Sequence, residues 1–475
     1  MKKILDGATS TALIAYKLSQ IIPIYPITPS SPMAEFASDH SSKKIKNVFG
    51  QDVKVIEMQS EGGVSGLLHG AALAGSLSST FTSSQGLLLM LPNLYKLAGE
   101  NLPAVIHVGA RAVASHALSI FGDHSDVMAV RSSGVIMVAS DSVQASHDLA
   151  LASHLLALKS SLPVLHFMDG FRTTHEIQKI DIFEDETIKK LAEKDVQRFK
   201  NRNRNLQFGT AQNPDTFFQN RMAREILYQN VGRNLQEIFD QIFEICHRKY
   251  RAFEFYGNKN AEHMIVAMGS SCKTIEEYID NHQNEKIGLI KVVLYRPFLK
   301  EEFLKCLPKS VKVISVLDRT KESGSLPPLA LDVISCLQEQ TNKIEVLSGI
   351  YGLGGKEFTP RCVKAVYENM KREKKNNFSV GIEDDVAFSS LNLASPNQEE
   401  KSFNIKVFGL GSDGSVSASK STIKILGENT NKYVQAYFEY DSKKSGSLTQ
   451  SHIRISQNQI KSSYLLNSAD IISIN

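Results

Sequence analysis

Short apolar runs rich in branched residues alternate with segments of helical periodicity along the first 170 residues of the chain. Strands separated by helix-length segments indicate βαβ units, which build a parallel sheet with helices on both faces. The pattern therefore predicts an α/β domain with strands at residues 21–25, 53–58, 79–82, 104–108, 135–139 and 163–168.

The next segment predicts one long helix from Gln219 to about Tyr250. Its apolar positions recur at helical spacing, so we expect it to pack on a neighbour. These positions are Leu227, Val231, Leu235, Ile238, Phe239, Ile242 and Ile245.

Two further units follow this helix. Strands at 263–268, 288–294, 311–317 and 343–348, with a helix at 328–337, predict a second α/β domain. A polar stretch near residue 400 reads as a linker, and a strand, a glycine turn and a helix come after it. We therefore expect domains at 1–256 and 257–393, a linker at 394–403, and an α/β unit at 404–475 that is too short to complete a sheet of its own.

Composition excludes several classes of protein. The net charge of +4 on 475 residues is too small to predict a nucleic-acid partner. No apolar run reaches the roughly 18–20 residues that a membrane span requires, so we expect no membrane partner. The five cysteines lie far apart, which fits reduced, buried thiols and predicts no local metal or iron-sulfur site. We expect a cytoplasmic protein, and a hydrogenosome-like organelle stays possible.

A proline-rich turn at residues 25–32 follows the first predicted strand of the sheet. Three prolines hold its backbone outside helical geometry, and Thr28 supplies a hydroxyl at the carboxyl end of the strand. Open α/β sheets bind ligands at that edge. The alternative interpretation is a rigid turn that only begins the next helix.

Glu61 lies in the first turn of a predicted helix and is followed by Gly62 and Gly63. One interpretation is that its carboxylate complements the helix dipole. The other is that it forms a hydrogen bond to a ring nitrogen of a bound cofactor. Spacing alone does not decide between them.

Arg111 follows a predicted strand that ends at the same edge of the sheet. A guanidinium there can clamp a carboxylate through two parallel hydrogen bonds, and a surface salt bridge is the alternative. The polar segment 115–126 that follows is typical of a loop at a functional site.

Several long motifs in order resemble the N-terminal portion of pyruvate:ferredoxin (flavodoxin) oxidoreductases. They cover residues 25–33, 57–63, 86–90, 116–128, 166–176, 209–215, 294–298, 316–322 and 351–359. The resemblance implies a pyrimidine-side domain for thiamine diphosphate, then a transketolase C-terminal-like domain, then the start of a gamma-subunit-like domain.

The resemblance also implies an activity: oxidative decarboxylation of pyruvate to acetyl-CoA, with electrons passing to ferredoxin or flavodoxin. In that family, the residue matching Glu61 pairs with the aminopyrimidine, and Thr28 and Arg111 match the contacts to the substrate carboxylate. Pro26 and Ile27 match cofactor contacts. Magnesium and [4Fe-4S] clusters belong to domains that we expect outside this chain, and coenzyme A and a homodimer are implied as well.

Two alternatives remain open from the sequence. The run Gly409-Leu410-Gly411-Ser412-Asp413-Gly414, with Glu439 or Asp441 after the next strand, matches a dinucleotide-binding pattern, which alone is a weak signal. The chain could also be a non-catalytic, truncated relative that acts as a binding or structural module. Retained Thr28, Glu61 and Arg111 favour the enzyme.

Overall fold

The computed structural model describes residues 1–201, 208–340, 343–384, 386–393, 402–440 and 447–475. The linker predicted at 394–403 therefore lies almost entirely outside the described residues, as does Asp441.

The N-terminal segment alternates strands and helices. Its strands are β1 (Lys2–Asp6), β2 (Ile21–Ile24), β3 (Lys54–Glu57), β4 (Ser79–Thr82), β5 (Val105–Ala110), β6 (Ile136–Ala139), β7 (Val164–Asp169) and β8 (Ile177–Asp181). Its helices are α1 (Gly7–Lys17), α2 (Ser31–Ser42), α3 (Glu61–Leu73), α4 (Ser84–Leu89), α5 (Leu91–Gly99), α6 (Ser125–Ala129), α7 (Val143–Ser160), α8 (Asp185–Lys200), α9 (Pro214–Ala223), α10 (Glu225–Gln229) and α11 (Val231–Cys246).

A parallel sheet forms the centre of this segment, as the sequence predicts. Strands β6, β7, β5 and β4 are parallel neighbours in that order, and β2 pairs in parallel with β3. A parallel bridge between Ile21 and Ser78 brings the β2–β3 pair beside β4. Val105 packs with α7 and α11, whereas Ile106 packs with α3 and α5, so the sheet is covered on both faces. The carboxyl ends of β2, β4 and β5 therefore meet at one edge.

The single helix predicted from Gln219 to Tyr250 is wrong, because the structure has α9, α10 and α11 there. Asn230 separates the last two, and its side-chain amide donates to the carbonyl of Ile226, which competes with the helical pattern. Only α11 has a buried face, and Ile245 is 44% exposed.

The middle segment forms a second sheet. Its strands are β9 (Phe253–Gly257), β10 (His263–Ala267), β11 (Ile287–Val292), β12 (Leu294–Arg296), β13 (Val313–Asp318), β14 (Glu345–Tyr351) and β15 (Phe378–Val380). Its helices are α12 (Ser271–Asn281), α13 (Lys300–Lys305), α14 (Pro328–Leu337) and α15 (Pro360–Lys371), and a 3₁₀ turn covers Leu353–Gly355.

The strand order of this second sheet is β15-β14-β13-β10-β11-β9, with only the β9–β11 pair antiparallel. Strand β12 is not part of this sheet but pairs with β6 of the first sheet. The domain boundary predicted between residues 256 and 257 falls inside β9, which pairs with β11 and so belongs to the second sheet.

The last segment contributes β16 (Phe403–Leu410), α16 (Ser415–Asn429), β17 (Tyr433–Tyr440), β18 (Leu448–Ser456) and β19 (Ile471–Ile474). Its sheet has the order β1-β8-β17-β18-β16-β19, so two N-terminal strands extend it to six. This segment supplies only four of those strands. The sequence pattern does not reveal that β1 and β8 complete the sheet, because the pairing joins residues more than 200 positions apart.

Candidate functional site

The turn after β2 is held by its own backbone. Both the amide and the hydroxyl of Ser30 donate to the carbonyl of Ile27, at 2.9 and 2.8 Å, and α2 begins at the next residue. Pro26 and Thr28 are exposed in this chain, and Ile27 is half-buried. The turn thus presents Pro26, Ile27 and Thr28 at the edge of the first sheet.

Glu61 is the first residue of α3 and is only 6% exposed. The hydroxyl of Ser60 accepts a hydrogen bond from the Gly63 amide at 3.2 Å and so begins the helix. Among the residues that the structure describes, the Glu61 carboxylate has no hydrogen-bond or ion-pair partner. Since a buried carboxylate without a partner is costly, this geometry suits a carboxylate that pairs with a bound molecule.

Close packing surrounds that carboxylate. A Cβ atom placed on Gly86 would lie 2.6 Å from Glu61 Oε1 and 2.8 Å from Thr82 Oγ1, so a larger residue at position 86 would displace one of these side chains. The hydroxyls of Thr82 and Ser83 are also buried and have no hydrogen-bond partner in the described part of the chain. Within the described residues, the end of β4 therefore carries two hydroxyls without a hydrogen-bond partner beside the carboxylate of Glu61.

The neighbouring strand β5 contacts the proline-rich turn. A Cβ atom on Gly109, in β5, would lie 3.2 Å from Pro29 Cγ and 3.5 Å from Ser83 Oγ. Glu61 and Thr28 thus border the adjacent ends of β4 and β5, one through Gly86 and the other through Pro29, the residue after Thr28.

Arg111 follows β5 directly and is 7% exposed. Its Nη1 donates to the carbonyl of Thr28 at 2.8 Å, and its Nε donates to the carbonyl of Ser119 at 3.3 Å. Burial lowers the pKa of Arg111, and the nearby Asp126 partly offsets this. In the described part of the chain, no carboxylate lies within ion-pair distance of this guanidinium, so the surface salt bridge considered from the sequence is absent there.

The segment after Arg111 is a loop with an exposed tip and buried ends. Residues 114–118 are exposed, whereas Asp123, His124 and Asp126 are buried. The Ala112 amide donates to the carbonyl of Phe121 at 3.0 Å and closes the base of the loop. The sequence pattern indicated this loop, but it gave no sign that Asp126 accepts hydrogen bonds from the Ser84 and Arg111 amides.

The glycine-rich run at residues 409–414 does not form the dinucleotide-binding unit that the sequence left open as a weak alternative. Strand β18 lies between β16 and β17, whereas a Rossmann unit places its first two parallel strands side by side. The Asp413 carboxylate accepts hydrogen bonds from the Leu410 and Ser415 amides, which occupies the start of α16. Glu439 pairs with His452 at 2.9 Å. These contacts count against a ribose contact from Glu439.

Among the described residues, no cluster of three or more His, Cys, Asp or Glu side chains could hold a metal ion. All five cysteines are free thiols. None of the described helices is both long and apolar enough to cross a membrane.

Comparisons with known proteins match three consecutive parts of the chain. Residues 14–240 match the family model described as pyruvate flavodoxin/ferredoxin oxidoreductase, thiamine diphosphate-binding, and residues 261–363 match pyruvate:ferredoxin oxidoreductase core domain II. Residues 404–474 match the model described as pyruvate ferredoxin/flavodoxin oxidoreductase. The chain belongs to the pyruvate:ferredoxin/flavodoxin oxidoreductase family, and it corresponds to the N-terminal portion of its members.

Curated relatives are similar over nearly all of the chain. Pyruvate:ferredoxin oxidoreductase of Moorella thermoacetica is 51% identical over 99% of this chain, and pyruvate-flavodoxin oxidoreductase of Enterobacter agglomerans is 48% identical over 99%. Pyruvate dehydrogenase [NADP(+)] of Cryptosporidium parvum is 47% identical over the whole chain. The match spans 41% of each of the first two relatives and 25% of the third.

A solved structure shares the fold. The 2-oxoglutarate:ferredoxin oxidoreductase of Magnetococcus marinus, solved with 2-oxoglutarate, coenzyme A and succinyl-CoA, has a TM-score of 0.58 at 19% identity. The structural match covers 78% of this chain and 65% of the chain from Magnetococcus marinus.

Proposed function

We propose that this chain forms the pyrimidine-side half of a thiamine diphosphate site in an enzyme that oxidatively decarboxylates pyruvate to acetyl-CoA. The observation that carries the proposal is the buried, unpartnered carboxylate of Glu61. It lies in the part of the chain that matches the thiamine diphosphate-binding family model.

The residues around Glu61 fit an aminopyrimidine. A carboxylate can share a proton with a ring nitrogen, and the orphaned hydroxyls of Thr82 and Ser83 are free to donate to or accept from ring substituents. Pro26 and Ile27 offer an apolar surface at the same edge. When bound, thiamine diphosphate would supply the electron sink for decarboxylation.

Thr28 and Arg111 would bind the carboxylate of pyruvate. Arg111 uses Nη1 to hold the turn at Thr28, and its Nη2 has no partner among the described residues. Burial strengthens the attraction of the guanidinium for a carboxylate, because the surroundings screen the charge less than water does. Thr28 itself is an exposed residue of the same turn.

Other parts of the enzyme belong to the same proposal. Magnesium and [4Fe-4S] clusters would lie on further domains, which would pass electrons to ferredoxin or flavodoxin. Coenzyme A would accept the acetyl group. The domain limits given above, a homodimer and a cytoplasmic location are likewise proposed.

Exchange of the thiazolium C2 proton of thiamine diphosphate, followed by proton NMR in deuterated buffer, tests the role of Glu61. With the remaining domains supplied, the 475-residue chain should accelerate the exchange, and Glu61→Gln should slow it at least tenfold, because an amide cannot relay a proton. The isolated chain is expected to be inactive. Glu57→Gln is the matched control, since Glu57 lies four residues away and is exposed.

Two results would count against the proposal. Equal exchange rates with wild type and Glu61→Gln would mean that the Glu61 carboxylate only complements the dipole of α3. Calorimetry that detects no thiamine diphosphate binding, even with the rest of the enzyme supplied, would favour the non-catalytic relative.

A further inference from the structure

One buried carboxylate joins the two strand ends that border the candidate site. Asp126 is fully buried in the first turn of α6. Its Oδ2 accepts hydrogen bonds from the Ser84 amide at 2.8 Å and from the Arg111 amide at 3.0 Å. Its Oδ1 accepts from the Val127 amide at 2.7 Å.

The two amides that share Oδ2 come from different strands. Ser84 follows β4, and Arg111 follows β5. Ser84 is held with a φ of 53°, a left-handed conformation that favours glycine, and its hydroxyl donates to the carbonyl of Ala112 at 2.6 Å. Asp126 and Ser84 thus bind the ends of β4 and β5 together.

Each strand end carries one half of the candidate site. Beyond β5, the Arg111 side chain reaches the turn at Thr28. Beyond β4, Gly86 packs against the Glu61 carboxylate. A shift of either strand end would therefore move a proposed substrate contact relative to a proposed cofactor contact.

We propose that Asp126 is a positioning residue that sets the spacing between the substrate arginine and the cofactor side of the site. This inference rests on the proposed function of Arg111. Asp126 itself touches no substrate, because it lies beneath the backbone of both strand ends. Its effect on the reaction passes through Arg111 and through the Ser84 turn.

The burial of Asp126 also changes its ionisation. Burial raises its pKa to about 7, although hydrogen bonds from the Ser84 and Arg111 amides act in the opposite direction. Asp123 also raises this pKa.

The chain contains a matched control. Asp318, at the end of β13, is 2% exposed and accepts hydrogen bonds from the Leu329 and Ala330 amides at 3.0 and 3.1 Å. Burial raises its pKa to about 7 as well. It therefore has the burial and backbone contacts of Asp126, but it lies in the second sheet.

The test combines two measurements on the 475-residue chain, supplied with the remaining domains if pyruvate binding requires them. Residue-resolved hydrogen exchange reports the protection of the Ser84 and Arg111 amides, and calorimetry reports pyruvate binding. Asp126→Ala should lower protection of both amides and weaken pyruvate binding at least tenfold. Asp126→Asn should restore much of both, because its carbonyl oxygen can still accept from the two amides.

The Asp318→Ala control should lower thermal stability but leave pyruvate binding within twofold of wild type. If Asp126→Ala binds pyruvate as tightly as wild type, or if Asp318→Ala weakens binding equally, the positioning role is wrong. If Asp126→Ala does not fold, Asp126→Asn decides: unprotected Ser84 and Arg111 amides with normal pyruvate binding would overturn the proposal. If the wild-type protein binds no pyruvate even with the remaining domains supplied, both the proposed function of Arg111 and the inference are wrong. Protection of the Ser84 and Arg111 amides in that protein would still confirm the two hydrogen bonds to Asp126.

Discussion

Replacing Asp169 with asparagine should weaken the contact between the first two α/β units. Asp169 ends β7, is fully buried, and accepts hydrogen bonds from the Ser270 amide at 2.9 Å and from Arg319 Nη1 at 2.7 Å, both in the middle segment. His124 Nε2 lies 2.6 Å from its other oxygen. Burial acts to raise the pKa of Asp169, but Arg319 and His124 outweigh this and hold it well below its usual range.

The asparagine keeps one acceptor oxygen but leaves Arg319 buried without its counter-charge. Breaking a buried ion pair by removing one partner costs about 3–5 kcal/mol, so we expect the free energy of unfolding to fall by about 3 kcal/mol. Asp318→Asn is the control, because the Asp318 carboxylate accepts only backbone hydrogen bonds, and it should cost about 1 kcal/mol.

Urea unfolding followed by circular dichroism measures both costs, since the chain has no tryptophan for fluorescence. The dependence on pH provides a second check. Asp169 has a lowered pKa in the folded chain, so its contribution is complete above the unfolded value of 3.8 and is lost as the pH falls below it. The difference between wild type and Asp169→Asn should thus narrow by about 1 kcal/mol between pH 6 and pH 3. Equal costs for the two variants, or a difference independent of pH, would refute the reasoning.

Three further predictions follow from the structure. Arg111→Lys should weaken pyruvate binding about tenfold in calorimetry and leave thiamine diphosphate affinity unchanged, because lysine cannot hold Thr28 and clamp a carboxylate together; unchanged pyruvate binding would contradict this. Burial lowers the pKa of His154 to about 3, so its contribution to stability is complete above the unfolded value of 6.5 and is lost as the pH falls. His154→Leu should therefore reduce the slope of unfolding free energy against pH, near pH 5, by about 1.4 kcal/mol per pH unit, and an equal slope in urea titrations would contradict it. Iron analysis of the purified 475-residue chain should find less than one equivalent, and a bound cluster would contradict the expectation from its scattered cysteines.

Local pattern was sufficient to predict most strands of the first two sheets. The run at 79–82 has the same bounds as β4. The run at 135–139 contains β6, whose residues form the continuous apolar run that is typical of a buried parallel strand. The edge where Thr28 and Arg111 meet also follows from strand direction alone. Their direct contact does not, since the sequence gives no sign that Arg111 bonds the Thr28 carbonyl.

The missed features depend on distant residues. Asp126 and Asp169 each follow the pattern of an ordinary helix start or strand end, and only the fold shows which amides and cations face them. The only signal was their position inside the motifs at residues 116–128 and 166–176, which resemble the family. The break of the predicted helix at Asn230 was missed because its apolar spacing continues across the break.

The shared third sheet has a consequence for synthesis on the ribosome. Strands β1 and β8 emerge early, but β17, which pairs with β8, begins only at Tyr433. At a synthesis rate of about 5–20 residues per second, the edge of β8 would stay unpaired for roughly 10–50 s before β17 is made. During that time an unpaired strand edge is open to pairing with other nascent chains. A tag fused before Lys2 would extend an edge strand of the finished sheet, so expression of this chain should be more sensitive to N-terminal than to internal loop fusions.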